Sequence, residues 1–121
     1  MNTELQRHLY EQLAALASQG QTISYRKLAE IADIPGPQVI RKLTSLLENI
    51  IRDDHAKGIN ASLAVLVVSQ TTPAIPRPGY FMLLRELGSY DGPSDGDRAA
   101  DFHAQQLQLV FARYRTGSNR T

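Results

Sequence analysis

The chain contains no cysteine among its 121 residues. This absence excludes disulfide frameworks, cysteine nucleophiles and cysteine-ligated zinc sites, and it fits a reducing compartment. No stretch approaches the roughly 18 consecutive apolar residues of a transmembrane helix. Residues 1–16 also lack the apolar core of a signal peptide. We therefore expect a soluble cytoplasmic protein with no membrane partner.

The sequence also lacks a large excess of either positive or negative charge. The sequence has 13 Lys and Arg against 12 Asp and Glu, which gives a formal charge of +1. A protein with a strong electrostatic footprint for nucleic acid is more basic than this. Any binding of a polyanion must therefore depend on a local cluster. The hydrophobic content of 42% is enough for one domain over residues 1–121 with its own core.

Motifs of catalysis and metal binding are also missing. The three histidines, His8, His55 and His103, lie on separate segments, and none has a second ligand at metal-binding spacing. His103 fits a buried helix face better than a metal site. Asp53, Asp54 and His55 form a charged group at a helix exit, where such groups are usually solvated. Without a phosphate-binding loop or a nucleophile elbow, we predict no enzyme activity and no cofactor.

The N-terminal segment has the spacing of an amphipathic helix. Its leucines, Leu5, Leu9, Leu13 and Leu16, recur at steps of three and four residues, which predicts a helix over residues 3–18 inside an N-terminal unit of residues 1–20. Residues 21–23 are β-prone and favour a short strand, and Ser24 is suited to cap the helix that follows.

Residues 24–52 have the pattern of a helix-turn-helix. The first helix is expected to turn Leu28, Ala29, Ile31 and Ala32 inward. A tight turn then contains Gly36, in the cap position, and Pro37, in the first turn of the second helix.

The second helix separates an apolar stripe from a polar face. The stripe consists of residues at three- and four-residue steps: Val39, Ile40, Leu43, Leu46, Leu47, Ile50 and Ile51. The opposite face begins with Gln38, Arg41, Lys42 and Ser45. These side chains can donate hydrogen bonds to base edges or phosphates if the end of the helix enters a major groove.

The rest of the chain completes the predicted fold. Residues 62–69 form a short valine-rich apolar run, which predicts a buried strand that pairs with the strand near Thr22 or with a hairpin return. Residues 70–79 hold three prolines and a glycine and predict an extended, wing-like loop with Arg77 near its tip. Residues 80–88 favour a helix over a hairpin strand, and residues 97–115 form a last amphipathic helix. The predicted fold class is α+β, mainly helical and winged-helix-like, with additional N- and C-terminal helices.

The order of elements over residues 22–88 resembles the DNA-binding domain of alkylguanine-DNA alkyltransferases and alkyltransferase-like proteins. The family's helix-turn-helix begins with a T-Y-G-x-[LV]-A stretch, and Ile23–Ala29 (ISYRKLA) is similar. The resemblance implies that Tyr25 approaches the DNA backbone. It also implies that Arg41 is nearest to the arginine that enters the base stack.

The chain departs from this family at the reactive motif. The family carries P-C-H-R-V before its strand ends, and residues 63–67 (LAVLV) occupy that place here. The cysteine, histidine and arginine are all absent, which excludes alkyl transfer. The resemblance therefore implies a scaffold and a partner, but not the family's reaction.

Two functions of different classes follow from the sequence. The first is non-enzymatic binding of double-stranded DNA, in regulation or repair, through Tyr25, Arg26, Lys27, Gln38, Arg41, Lys42, Ser45 and Arg77. The alternative is a protein-interaction or dimerisation module on the same scaffold. That module would use Tyr80, Phe81, Met82 and the Phe111–Tyr114 edge of the C-terminal helix, and would form a homodimer.

Overall fold

The structure is a computed structural model that describes residues 2–59, 61–70 and 74–118. Over these residues the chain is mainly helical with a small two-stranded sheet, as the predicted α+β class requires. None of the described helices combines the length and apolarity needed to cross a lipid bilayer. In chain order the elements are α1 (Asn2–Ser18), β1 (Ile23–Ser24), α2 (Tyr25–Ile31), α3 (Val39–Ala56), a 3-10 helix (Leu63–Leu66), β2 (Val67–Val68), α4 (Pro78–Glu86) and α5 (Gly96–Ser118).

The core is centred on the 3-10 helix, which contacts α1, α3 and α5. Its four residues are buried, and so are Leu9 and Leu13 of α1 and Val110 of α5. Because α1 and α5 also pack against each other, the two ends of the described chain close over the same centre. The predicted terminal helices are confirmed, although α5 begins at Gly96 and continues to Ser118.

The predicted pair of helices is present, but its connection is longer than expected. Ser24 caps α2 by accepting a hydrogen bond from the backbone N–H of Lys27 (3.1 Å), as predicted. Residues 32–38 separate α2 from α3. A typical helix-turn-helix has a turn of roughly three to four residues, so the prediction of a tight turn is wrong.

Gln38 is the residue that caps α3, in place of Gly36. Its backbone lies in the left-handed region, with φ 58° and ψ 45°, and its side chain makes no capping hydrogen bond. Helix α3 begins at Val39, so Pro37 lies in the connection and not in the first helical turn. The cap and the first residue of α3 therefore lie two residues later than predicted.

The apolar stripe of α3 faces the core as predicted. Its fully buried members are Leu43, Leu46, Leu47, Ile50 and Ile51, while Val39 and Ile40 are partly buried. Asp54 continues the same spacing and is only 2% exposed, so the prediction of a solvated charged group at residues 53–55 is wrong for Asp54. In α2, Leu28 and Ala29 are buried, but Ile31 is 46% exposed and not directed inward as predicted.

The predicted strand at residues 62–69 is mostly a 3-10 helix. Ser62 accepts a hydrogen bond from the backbone N–H of Ala64 (3.2 Å), which caps the first turn. Only Val67 and Val68 are extended. They pair in parallel with Ile23 and Ser24, so the expected partner strand is confirmed. The prediction that this segment is buried is also confirmed.

Helix α4 confirms the helical interpretation of residues 80–88. It begins at Pro78, and Gly88 follows its end with φ 82°. Of the preceding loop, residues 71–73 lie outside the described residues, and residues 74–77 form no strand. Arg77 directly precedes α4 and is not at a loop tip, which corrects its predicted position.

Candidate nucleic-acid interface

Three of the predicted DNA-binding residues lie at the beginning and on the outer face of α3. Arg41 and Ser45 are four residues apart on one side of the helix, opposite the stripe that anchors α3 in the core. Gln38 caps the helix before its first turn, and all three residues are exposed. Within the described residues, no carboxylate lies within ion-pair distance of Arg41. Its guanidinium is therefore available to a ligand.

Lys42 is exposed on the same turn but bonds to its own connection. Its Nζ donates a hydrogen bond to the backbone carbonyl oxygen of Pro35 (2.8 Å). An ammonium group has three donors, so two remain after this bond. The contact also links the first turn of α3 to residues 32–38, and it holds the charge close to the beginning of the helix.

Tyr25 is buried and not exposed toward a ligand. Its ring is 8% exposed, and its phenol oxygen accepts a hydrogen bond from the backbone N–H of Arg77 (3.0 Å). Burial raises the pKa of the Tyr25 phenol, while the hydrogen bond and the charge of Arg77 oppose this rise. The ring therefore leaves little surface for the DNA contact predicted from the resemblance, and it supports Arg77 instead.

Arg26 and Arg77 line one cleft of about 310 Å³, which we call the Arg77 cleft. Arg26 comes from the first turn of α2, and Arg77 comes from the segment before α4. The cleft is lined by Tyr25, Arg26, Ile40, Val68, Ser69, Gln70 and Arg77. Two guanidinium groups beside a serine and a glutamine form a donor set suited to an anion such as a phosphate.

Ser69 and Gln70 were not predicted from the sequence. They follow β2, and the parallel pairing of β2 with β1 brings them to the N-terminal end of α2. No local spacing connects residues 69–70 with Arg26. The only available signal was the expected pairing of the two strands, which did not specify a direction.

Carboxylates border this cationic surface on two sides. Glu30 and Asp33 share a neighbouring depression with Arg26, and Glu48 shares another with Arg77. None of these acids forms an ion pair within the described part of the chain. The positive potential is therefore local, as the near-neutral composition predicts. Lys27 is exposed at the first turn of α2.

The described residues bring no group of three or more His, Asp and Glu side chains together at a spacing that could hold a metal ion. The chemistry available at this surface consists of hydrogen-bond donation and charge, from three arginines, two lysines, two amides and two hydroxyl groups. Comparison of the chain with family models, with curated proteins and with solved structures gives no match.

Proposed function

We propose that this chain is a non-enzymatic DNA-binding protein in which the outer face of α3 enters the major groove. The observation that carries the proposal is that Arg41 and Ser45, together with the capping residue Gln38, are exposed at the beginning of a helix whose opposite side is anchored in the core. Helix-turn-helix proteins read base edges with the N-terminal residues of such a helix. Arg41 is suited to a bidentate contact with guanine, and Gln38 is suited to adenine.

The remaining cations contact phosphates in this proposal. Arg26 and Lys27 lie on the first turn of α2, and Arg77 lies across the Arg77 cleft from α2. Contacts of this kind fix the register of a protein on the duplex but carry no sequence information directly. Lys42, held near the beginning of α3 by Pro35, adds a fourth phosphate donor.

We further propose that the scaffold is a winged-helix variant in which the Arg77 segment takes the position of a wing. The helical pair, the small sheet and the position of Arg77 beside α2 support this interpretation. The parallel sheet and the long connection between α2 and α3 are departures from the usual arrangement. The resemblance to alkyltransferase-like proteins remains a hypothesis, and without the reactive cysteine it concerns binding alone.

Salt dependence tests the proposal. Fluorescence anisotropy can measure the affinity for a mixed-sequence duplex of about 20 base pairs, a length of two helical turns. We expect binding that weakens steeply between about 50 and 200 mM salt, since each phosphate contact adds roughly 0.9 to the slope of log K against log salt. The double variant Arg41→Gln/Lys42→Gln should reduce the affinity and flatten the slope.

A matched double variant on another surface is the control. Arg7 of α1 and Arg98 of α5 are exposed, and Arg7→Gln/Arg98→Gln removes the same charge. If the control variant weakens binding as much as the α3 variant, attraction is global and the interface is wrong. Undetectable duplex binding at low salt would overturn the proposal altogether.

The alternative function, self-association through the C-terminal helix, has narrower support. Of the apolar surface predicted for this function, Tyr80 and Phe81 are buried, Phe111 and Tyr114 are partly buried, and Met82 is 58% exposed. Leu109 of α5 is 47% exposed and offers an apolar contact. A concentration-dependent dimer in sedimentation velocity that is lost in Leu109→Glu would favour this function. A monomer at all concentrations would exclude it.

A further inference from the structure

A buried carboxylate in the last turns of α3 has an oxygen without a partner. Asp54 is 2% exposed, and its Oδ2 makes no hydrogen bond within the described residues. Leaving such an atom unsatisfied away from water is costly, and each case in a native structure needs a reason. The DNA-binding proposal does not use Asp54, which lies on the core side of α3.

Asp54 lines a cavity of about 300 Å³ between α3, α4 and α5, which we call the Asp54 cavity. This volume lies at the lower end of the range for small-molecule sites. Ile51, Ile59, Leu84 and Leu109 give it apolar walls, while Ser62 and Gln106 add polar groups. Leu109 is half exposed and therefore lies toward an opening to solvent.

Among the described residues, the lining of the Asp54 cavity contains one carboxylate and no lysine or arginine. A second cavity also reaches Asp54, and its lining includes the cations Arg7 and Lys57 together with Asp53 and Tyr10. On the α5 side, Arg113 donates a hydrogen bond to the carbonyl oxygen of Ala61 (2.7 Å) and lies 5.4 Å from the centre of the Tyr114 ring. Of the two cavities that Asp54 lines, the Asp54 cavity is the one without lysine or arginine among its described lining residues.

From this arrangement we infer that the Asp54 cavity binds a small organic cation, a primary amine with an apolar body, whose ammonium group donates to Asp54. A divalent metal ion does not fit, because one carboxylate cannot supply the several oxygen ligands that such ions require. A neutral donor fits less well than a cation, since charge-assisted hydrogen bonds are roughly twice as strong. An anion is repelled by Asp54.

Protonation of Asp54 is coupled to binding. Burial raises the pKa of Asp54, while a hydrogen bond from Ser62 and the charges of Lys57 and Arg113 oppose the rise and Asp53 adds to it. His55 also lines the Asp54 cavity, and Tyr10 on α1 faces Asp54 from the other cavity. An ammonium group favours the carboxylate, so binding releases a proton wherever free Asp54 is protonated. Affinity for the amine therefore rises with pH through the titration of Asp54.

Benzylamine is a suitable probe, with benzyl alcohol and benzoate as neutral and anionic analogues of the same shape. In a two-dimensional NMR titration we expect saturable shifts at the amides of Ser62 and Gln106, with a dissociation constant of about 1 mM or tighter. The analogues should bind at least about tenfold more weakly. For benzylamine, the affinity should increase as the pH rises above the ordinary aspartate range, because burial raises the pKa of Asp54.

Asp54→Asn keeps the size of the side chain and removes its charge, so we expect at least about a tenfold loss of benzylamine affinity. Asp53→Asn is the matched control, because Asp53 is exposed and does not line the Asp54 cavity. Equal affinity of benzyl alcohol, an undiminished affinity in Asp54→Asn, or an absence of saturable binding would overturn the proposal. If Asp54→Asn does not fold, the pH profile of the unchanged protein and the two analogues decide the question.

Discussion

The backbone N–H of Arg77 donates a hydrogen bond to the phenol oxygen of Tyr25 (3.0 Å), and the Arg77 guanidinium lies 5.1 Å from the centre of the same ring. One aromatic side chain thus holds both the backbone and the charge of a residue that is distant in the sequence. Because Tyr25 opens α2 and Arg77 precedes α4, this contact joins two of the segments that line the Arg77 cleft. In our proposal Arg77 contacts a phosphate, and Tyr25 contributes by holding Arg77 in position.

The first prediction concerns Tyr25→Phe. The substitution keeps the ring and removes the phenol oxygen, so the backbone N–H of Arg77 loses its acceptor. We expect the free energy of unfolding to fall by about 1 kcal/mol in urea denaturation, the usual value of one hydrogen bond. DNA affinity should also fall, because Arg77 is held less firmly.

Arg77→Ala separates the two contacts of this pair. It removes the guanidinium and leaves the backbone N–H in place, so we expect a loss of stability of at most about 1 kcal/mol from the exposed cation–π contact. Its loss of DNA affinity should exceed that of Tyr25→Phe. If Tyr25→Phe is as stable as the unchanged protein, water replaces the phenol oxygen as the acceptor for the backbone N–H of Arg77 without cost.

The second prediction concerns the left-handed backbone of Gln38. A residue with a β-carbon pays roughly 1–2 kcal/mol in this region, and glycine does not. We expect Gln38→Gly to leave the stability unchanged or to raise it by up to about 1 kcal/mol, since the greater freedom of glycine in the unfolded chain offsets part of the gain. Thermal and urea unfolding measure this difference.

Gln38→Val is the contrasting variant, because a β-branched residue is poorly suited to a positive φ. It should be destabilising by about 1 kcal/mol or more. The pair also separates stability from function: in our proposal Gln38→Gly weakens DNA binding although the fold is no less stable. A destabilised Gln38→Gly would contradict the left-handed conformation.

Helical spacing in the sequence predicted the anchored helices but not the polar residues buried among them. The stripe of α3 was recognisable because Leu43, Leu47 and Ile50 recur at three- and four-residue steps. Asp54 continues that stripe, four residues after Ile50, so the same spacing indicates that Asp54 is buried. Tyr25 likewise lies three residues before Leu28, on the buried face of α2.

Other features could not be predicted because they depend on tertiary contacts. The run Leu63–Val68 is buried on all sides, so it has no alternation from which a strand could be told from a helical turn. A 3-10 helix forms where Ser62 caps the first turn, and only Val67 and Val68, which follow it, pair with β1. The Arg77 cleft depends on this pairing, since the cleft is lined by residues from four parts of the chain.

The third prediction compares two neighbours on α4. Phe81 is fully buried and is the largest such side chain, whereas Met82 is 58% exposed. Phe81→Ala should lower the free energy of unfolding by about 3–5 kcal/mol, because it removes apolar contacts and leaves a cavity. Met82→Ala should change it by less than about 0.5 kcal/mol. Similar losses for the two variants in urea denaturation would show that the buried face of α4 is assigned wrongly.

The fourth prediction concerns pH and His103. Its Nε2 lies 2.9 Å from the carbonyl oxygen of Val65, and because a carbonyl can only accept, Nε2 carries the proton of the neutral ring. Burial lowers the pKa of His103, although the bond to Val65 opposes this. As the pH falls below the ordinary histidine value of about 6.5, the unfolded chain takes up a proton before the folded protein does. Stability therefore decreases as the solution becomes more acidic.

The slope of unfolding free energy against pH approaches at most about 1.4 kcal/mol per pH unit for one proton, and it ends once the folded protein also protonates His103. Asp54 acts in the opposite direction, since its raised pKa means that the folded protein gains that proton first. His103→Gln keeps a donor near Val65 but cannot titrate, so the difference between the two proteins isolates His103. We expect this variant to lose the decline below about pH 6.5. His8→Gln on the exposed side of α1 is the control and should retain the decline, while a decline unchanged in His103→Gln would assign it to another group.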